Sequence, residues 1–149
     1  MQSKAAEINI PAEVLVLATG YQASTWAHLP LIRGRDGKSL RRLWRERGGP
    51  QAYLGTAMDA FPSFFMLFGP NTAVGHSSAI LAIENGVHYA LHFIPRILNG
   101  EVSTYEVKER ASKDWVAKVQ NALKGTVLAT GGCSSWYIAE NGWNPTVYP

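Results

Sequence analysis

The sequence predicts an α/β fold, on three observations. Two short runs are almost wholly apolar, Glu13-Val14-Leu15-Val16-Leu17-Ala18 and Phe64-Phe65-Met66-Leu67-Phe68, and each stops at a glycine. Continuous apolar runs of this length read as strands covered on both faces, as in a parallel sheet. After the second run the period changes, and Ile80, Ile83, Val87, Leu91, Ile94 and Leu98 recur at steps of three and four, which marks an amphipathic helix of about five turns.

In chain order, the first expected strand ends at Thr19-Gly20, with little sequence before it. The stretch from Tyr21 to Pro50 is broken by Gly34, Gly37, Gly48 and Gly49, and a short helix is expected near Leu40–Arg45, with Leu40, Leu43 and Trp44 on its inner face. Arg33, Arg35, Lys38, Arg41, Arg42, Arg45 and Arg47 lie along the same stretch, diluted by Asp36 and Glu46. They read as a solvated face, and a nucleic-acid partner is not expected. The second strand leads through Gly69-Pro70-Asn71-Thr72 and Gly75-His76 to the long helix, which Ser77 or Ser78 can cap. Pro95 should kink or tighten its last turn, and Asn99-Gly100 should close it. A further helix is signalled by Trp115, Val119, Ala122 and Leu123, with Ser112 as its expected cap and Gly125 as its stop. The tail from Thr126 onward reads as a loop-rich closing segment with one strand pair.

The 149 residues leave room for one domain and enough chain for a real core. At 46% hydrophobic and 17% charged the composition is globular, and a net charge of +3 is too small for a polyanion to be held over the whole surface. Cys133 is the one cysteine, which excludes an intramolecular disulfide and a thiolate metal cluster, so a reducing, cytoplasmic location is expected. The sequence shows neither a signal peptide nor a run of about 18 apolar residues that would span a membrane.

Chemistry is expected at the junction of strand, glycine turn and helix. The first N–H groups of a helix lack intrahelical partners, and with the positive end of the dipole they can hold a phosphate or a ring carbonyl. The stretch from Gly69 to Ser77 is not a phosphate loop, because five residues separate its glycines and His76 stands where lysine should be. His88 and His92 have metal-compatible spacing but no H-E-x-x-H pattern, and no metal is expected. G-x-S-x-G is absent and Cys133 has no basic neighbour in sequence, which disfavours a hydrolase.

Three separated segments resemble one family. Val14-Leu15-Val16-Leu17-Ala18-Thr19-Gly20-Tyr21 resembles the strand ending in A-T-G-[YF] of the class B flavoprotein monooxygenases, which include the flavin-containing and Baeyer–Villiger monooxygenases. Tyr53-Leu54-Gly55-Thr56, Phe61-Pro62, Phe68-Gly69-Pro70-Asn71-Thr72 and Gly75-His76-Ser77-Ser78 resemble a later segment of their flavin domain. Cys133-Ser134-Ser135-Trp136-Tyr137, with Asn141-Gly142 and Asn144-Pro145-Thr146, resembles the closing segment of the Baeyer–Villiger members. Members of the family carry FAD, reduce it with NADPH, and put one oxygen atom of O2 into a ketone, amine or sulfide.

The resemblance implies the C-terminal part of a Rossmann-like FAD/NAD(P)-binding flavoprotein fold. Residues 1–20 would be the returning strand of the nicotinamide-nucleotide domain, and residues 21–149 the last part of the FAD-binding domain. Thr19 and Gly20 would lie where the chain passes between the two. Gly69, Pro70, Asn71 and Thr72, with Gly75, His76 and Ser77, would face the flavin ring, and Trp136 would belong to the loop closing over nicotinamide and substrate. No catalytic residue is implied in this chain. G-x-G-x-x-G is absent, so the turns that would hold the FAD and NADPH pyrophosphates are not in it, and the fingerprint F-x-G-x-x-x-H-x-x-x-W is absent too. Two expectations follow: a monooxygenase fragment inactive alone and needing an N-terminal half, or a non-catalytic interaction module bound to a partner chain.

Overall fold

Helices form where apolar spacing, a cap and a stop agree. The computed structural model describes residues 10–20, 31–75, 77–130, 135 and 137–148. Helix α1 spans Leu40–Glu46, with Ser39 as its N-cap and Leu40 and Trp44 buried. Helix α2 spans Ala79–Leu98 from an N-cap at Ser78. Pro95 is accommodated in its last turn, which closes with Asn99 N–H donating to the Pro95 carbonyl at 2.8 Å and Gly100 in the left-handed region at φ 72°. Helix α3 spans Glu109–Leu123, and a single short turn, α4, follows at Val127–Thr130.

Two apolar clusters hold these elements. In the first, Leu40 and Trp44 of α1 pack with Met58 and Phe61, and Ile32, Leu43, Ala60, Phe64 and Met66 close around them. In the second, Val119 and Leu123 of α3 pack with Val147, flanked by Trp115, Leu128 and Tyr137. Polar ties join distant segments. Trp44 Nε1–H donates to the Gln51 carbonyl at 2.8 Å, and Trp143 Nε1–H to the Pro50 carbonyl at 2.9 Å. Arg47 grips both carboxylate oxygens of Asp59 at 2.7 and 2.8 Å and reaches Glu109 at the start of α3 at 3.4 Å. Burial opposes ionisation of Asp59, but the hydrogen bonds and charge of Arg47 outweigh it and hold the carboxyl below its ordinary range.

Several expectations are corrected. The α/β sheet is not formed among the described residues, where pairing is limited to isolated bridges. Val14, Leu15, Val16 and Leu17 are not a buried strand but stand 74–81% exposed. The run at 64–68 makes one bridge, Phe65 with Ala57, and Met66 N–H donates to the Thr56 carbonyl at 2.7 Å. It then leaves the extended conformation at Phe68, whose φ is 54°. The physical reason is common to both runs: a strand apolar on both faces exists only between other strands, and the described residues supply none. Ser112 does not cap α3. The cap position is Lys108, and Ser112 lies on the buried face one turn inside. The strand pair expected in the tail is a single parallel bridge between Ala73 and Val147.

The largest departure is in α2. Its predicted apolar stripe points away from both clusters, with Ile80 68%, Ile83 38%, Leu91 53% and Leu98 79% exposed. The helix packs through a different face, where Gly86 and Ala90 are buried. The basic stretch is largely taken up inside the chain. Arg33 donates to the Gly37 carbonyl, Arg35 pairs with Glu106, Arg42 with Glu46, and Arg47 with Asp59. No helix among the described residues is long and apolar enough to cross a membrane.

Candidate functional site

The turn between the 64–68 run and α2 is built on close backbone approach. A Cβ on Gly55 would sit 1.9 Å from Thr72 Cγ2, and one on Gly69 would sit 2.2 Å from the Gly55 carbonyl oxygen, so the two glycines let the turn nest against the 53–56 loop. Thr72 Oγ1–H donates to the Gly69 carbonyl at 2.7 Å and locks the turn from within. Asn71 takes the left-handed conformation, φ 58°, which asparagine tolerates better than most residues. Its Nδ2 donates to the carbonyls of Asn144 at 2.8 Å and Val147 at 2.9 Å. Ala73 N–H donates to the Thr146 carbonyl and Tyr148 N–H to the Ala73 carbonyl, which draws the C-terminal segment alongside the turn.

Above this turn lies a cavity of about 460 Å³. Thr72, Ala73 and Val74 form its floor, and Ser77, Ser78, Ala79 and Ala82 bring in the start of α2. Trp115 from α3 and Tyr148 from the C-terminal segment stack at 6.0 Å on another wall, and Tyr89 of α2 lines it deeper in the helix. Burial, and secondarily the neighbouring Tyr53, pushes the Tyr89 phenol up. The first turn of α2 contains no acidic residue, so nothing in it offsets the positive end of the helix dipole. Among the described residues no charged side chain lines the cavity. The arrangement suits a flat, largely apolar ring whose electron-rich edge meets a helix N-terminus.

Of the residues expected at a cofactor, Asn71, Thr72 and Ser77 come together on this cavity. Gly69 and Pro70 are buried in the turn beneath it, and Gly75 is exposed. Thr19 and Gly20 are exposed and do not line it. His76 and Trp136, like Cys133, lie outside the described residues. Sequence reasoning missed Tyr89, Trp115 and Tyr148. Trp115 was legible only as a helix-face residue, because its place in the wall depends on a segment more than thirty positions away. His88 and His92 are exposed, and the described residues hold no group of three side chains that could bind a metal ion.

No protein-family model matches the chain. It is 36% identical over 140 residues to a Baeyer–Villiger monooxygenase of Streptomyces coelicolor, a match covering 93% of this chain and 26% of the relative. A Baeyer–Villiger monooxygenase of Pseudomonas aeruginosa is 34% identical over 138 residues, covering 92% of this chain and 26% of the relative. Among solved structures, an oxidized steroid monooxygenase bound to NADP superposes with a TM-score of 0.64 at 29% identity, over 77% of this chain and 21% of that one. A complex of OTEMO with FAD and NADP superposes with a TM-score of 0.59 at 25% identity, over 78% and 21%. The chain therefore spans about a quarter of the length of the curated relatives it matches. In sequence and in fold, it resembles a fragment of the Baeyer–Villiger monooxygenase family of flavoproteins.

Proposed function

We propose that this chain is the C-terminal part of an FAD- and NADPH-dependent monooxygenase that inserts one oxygen atom of O2 into a small organic ketone, amine or sulfide, and that it forms one wall of the flavin site. The carrying observation is the cavity at the start of α2, where Thr72, Ser77, Ser78, Ala82, Tyr89 and Trp115 surround a space lined by no charged side chain among the described residues. These residues fit a flavin ring: the walls are apolar and aromatic, and the helix N-terminus favours electron density on the edge facing it. When bound, FAD would supply the redox chemistry, while the chain's residues bind the ring, orient it and exclude water. No acid or base lines the cavity among the described residues, in keeping with catalytic side chains contributed by another part of the protein.

In this reading residues 1–20 belong to the returning strand of a Rossmann-like nicotinamide-nucleotide domain and residues 21–149 to the FAD-binding domain. The exposure of Val14 to Leu17 supports that division, since that run makes no core with the rest. A cytoplasmic enzyme is in keeping with one cysteine in the chain. Without pyrophosphate-binding turns, the purified chain is inactive: it retains no stoichiometric FAD and oxidises NADPH no faster than free FAD does. Installed in place of the matching quarter of the Streptomyces coelicolor relative, it yields a chimera that keeps FAD, and Ala82→Trp, which fills the cavity, abolishes that retention. Undiminished flavin in the Ala82→Trp chimera would overturn the reading.

A further inference from the structure

Helix α2 is apolar on two faces. Gly86 and Ala90 pack inward, with Gly86 against Leu67, while Ile80, Ile83, Leu91 and Leu98 form a second stripe roughly a third of a turn round the axis. The polar positions Glu84, His88 and His92 occupy the remaining arc. A surface helix shows one apolar stripe, whereas a helix apolar over most of its circumference is built to be covered on both sides. The four exposed side chains line neither the cavity above α2 nor the smaller recess of about 200 Å³ around Phe65, Phe93 and Tyr105. Ligand binding at either place would leave this stripe bare.

The 14–17 run has the same character. Its β-branched and leucine side chains alternate to both sides and all four are exposed. Covering one side, as a single packed helix or a second copy of the run would, leaves the other in water. Only an interior position in a sheet covers both and satisfies the backbone as well. The matched relatives extend for roughly three-quarters of their length beyond the part this chain matches, which supplies an occupant large enough for both elements.

We infer that the 14–17 run and the outer stripe of α2 are the two elements by which this chain docks onto the remaining three-quarters of a flavoprotein monooxygenase. The run enters a parallel sheet of that partner as an interior strand, and the α2 stripe packs on the same unit. This inference rests on the family reading above and names the surfaces that complete it.

The test is a split pair: the 149-residue chain, tagged, is co-expressed with the Streptomyces coelicolor relative shortened by its matching quarter. The tagged chain is expected to capture the shortened relative one to one. Leu15→Lys/Leu17→Lys and Ile83→Lys/Leu91→Lys each bury unpaired charge at the junction, and each is expected to reduce capture by about tenfold or more. The helical circular dichroism of the tagged chain should not change in either variant, because these side chains touch neither of its own cores. Failure of the unsubstituted chain to capture the relative overturns the docking inference, as does capture unchanged by both variants, or a homodimer of the tagged chain that the variants dissolve. Capture without bound FAD upholds the docking surfaces and removes the flavin reading. FAD bound tightly by the tagged chain alone does the reverse.

Discussion

Helices α2 and α3 carry the same kind of pattern and meet opposite fates. In α3 the stripe Ser112, Val116, Val119 and Leu123 is buried in the chain's own second cluster. In α2 the stripe Ile80, Ile83, Leu91 and Leu98 is exposed, and small residues on another face make the internal contact. Apolar spacing states that a face will be covered, and says nothing of which body covers it. Helix α3 belongs to a core this chain completes, while α2 joins that core to something else. Their charges follow the same division. Arg47 ties the start of α3 to the first cluster through Asp59 and Glu109, whereas the ion pair at the end of α2, Arg96 with Glu101, is local and exposed.

The sharpest way to break α3 away from its core is therefore Arg47→Ala. The Arg47 and Asp59 side chains are 15% and 5% exposed, so removing the guanidinium strands a buried carboxylate. The expected loss is about 3–5 kcal/mol at neutral pH, measured by urea unfolding. The effect should depend on pH in one direction. Asp59 has a folded-state pKa held below its ordinary value, so the stability it contributes is fully present above about pH 4 and is lost as pH falls through the depressed folded value. The difference between the unsubstituted chain and Arg47→Ala should narrow over that acid range. A difference that stays constant down to the acid limb would mean that Arg47 acts through packing alone.

Truncating one leucine at the end of each helix compares the two directly. Leu123→Ala removes a fully buried side chain from the second cluster and is expected to lower stability by about 2–5 kcal/mol. Leu98→Ala, at the corresponding end of α2, removes an exposed one and should stay within about 0.5 kcal/mol in the isolated chain. Equal losses would show that the outer stripe of α2 already has a partner within these 149 residues.

What could be read in advance divides along the same line. Helices α1 and α2 were legible because caps, spacing and stops are local, and Ser78 and Gly100 bracket α2 as expected. The sheet was legible only as a demand: the side chains of Val14 to Leu17 call for neighbours on both sides, and the described residues do not supply them. At the candidate site, Asn71, Thr72 and Ser77 were within reach because a glycine turn feeding a helix is a local pattern. Trp115 and Tyr148 were not, because their stacked wall joins two segments brought together by the hydrogen bonds of Asn71 and Ala73 to the closing segment. Ser112 was misplaced for a related reason. As a serine ahead of an apolar stripe it has the chemistry of a cap, but the helix had already begun at Glu109, and its small side chain fills a buried position instead.

That misplacement leaves α3 without a side-chain cap, and this yields the smallest expected effect. Lys108 stands at the N-cap with φ −64° and ψ 133°, the extended conformation that a capping serine adopts, and its side chain makes no capping hydrogen bond. Its positive charge also sits at the positive end of the helix dipole. Lys108→Ser should therefore stabilise the chain by about 0.5–1 kcal/mol, seen as a higher urea midpoint with an unchanged slope. In α2 the cap is already present, Ser78 Oγ accepting from Leu81 N–H at a long 3.5 Å, so Ser78→Ala should lower stability by no more than about 0.5 kcal/mol. If α2 is held mainly by a partner, the same Ser78→Ala change should vanish within error in the docked pair, while the gain from Lys108→Ser in α3 should be the same docked or free.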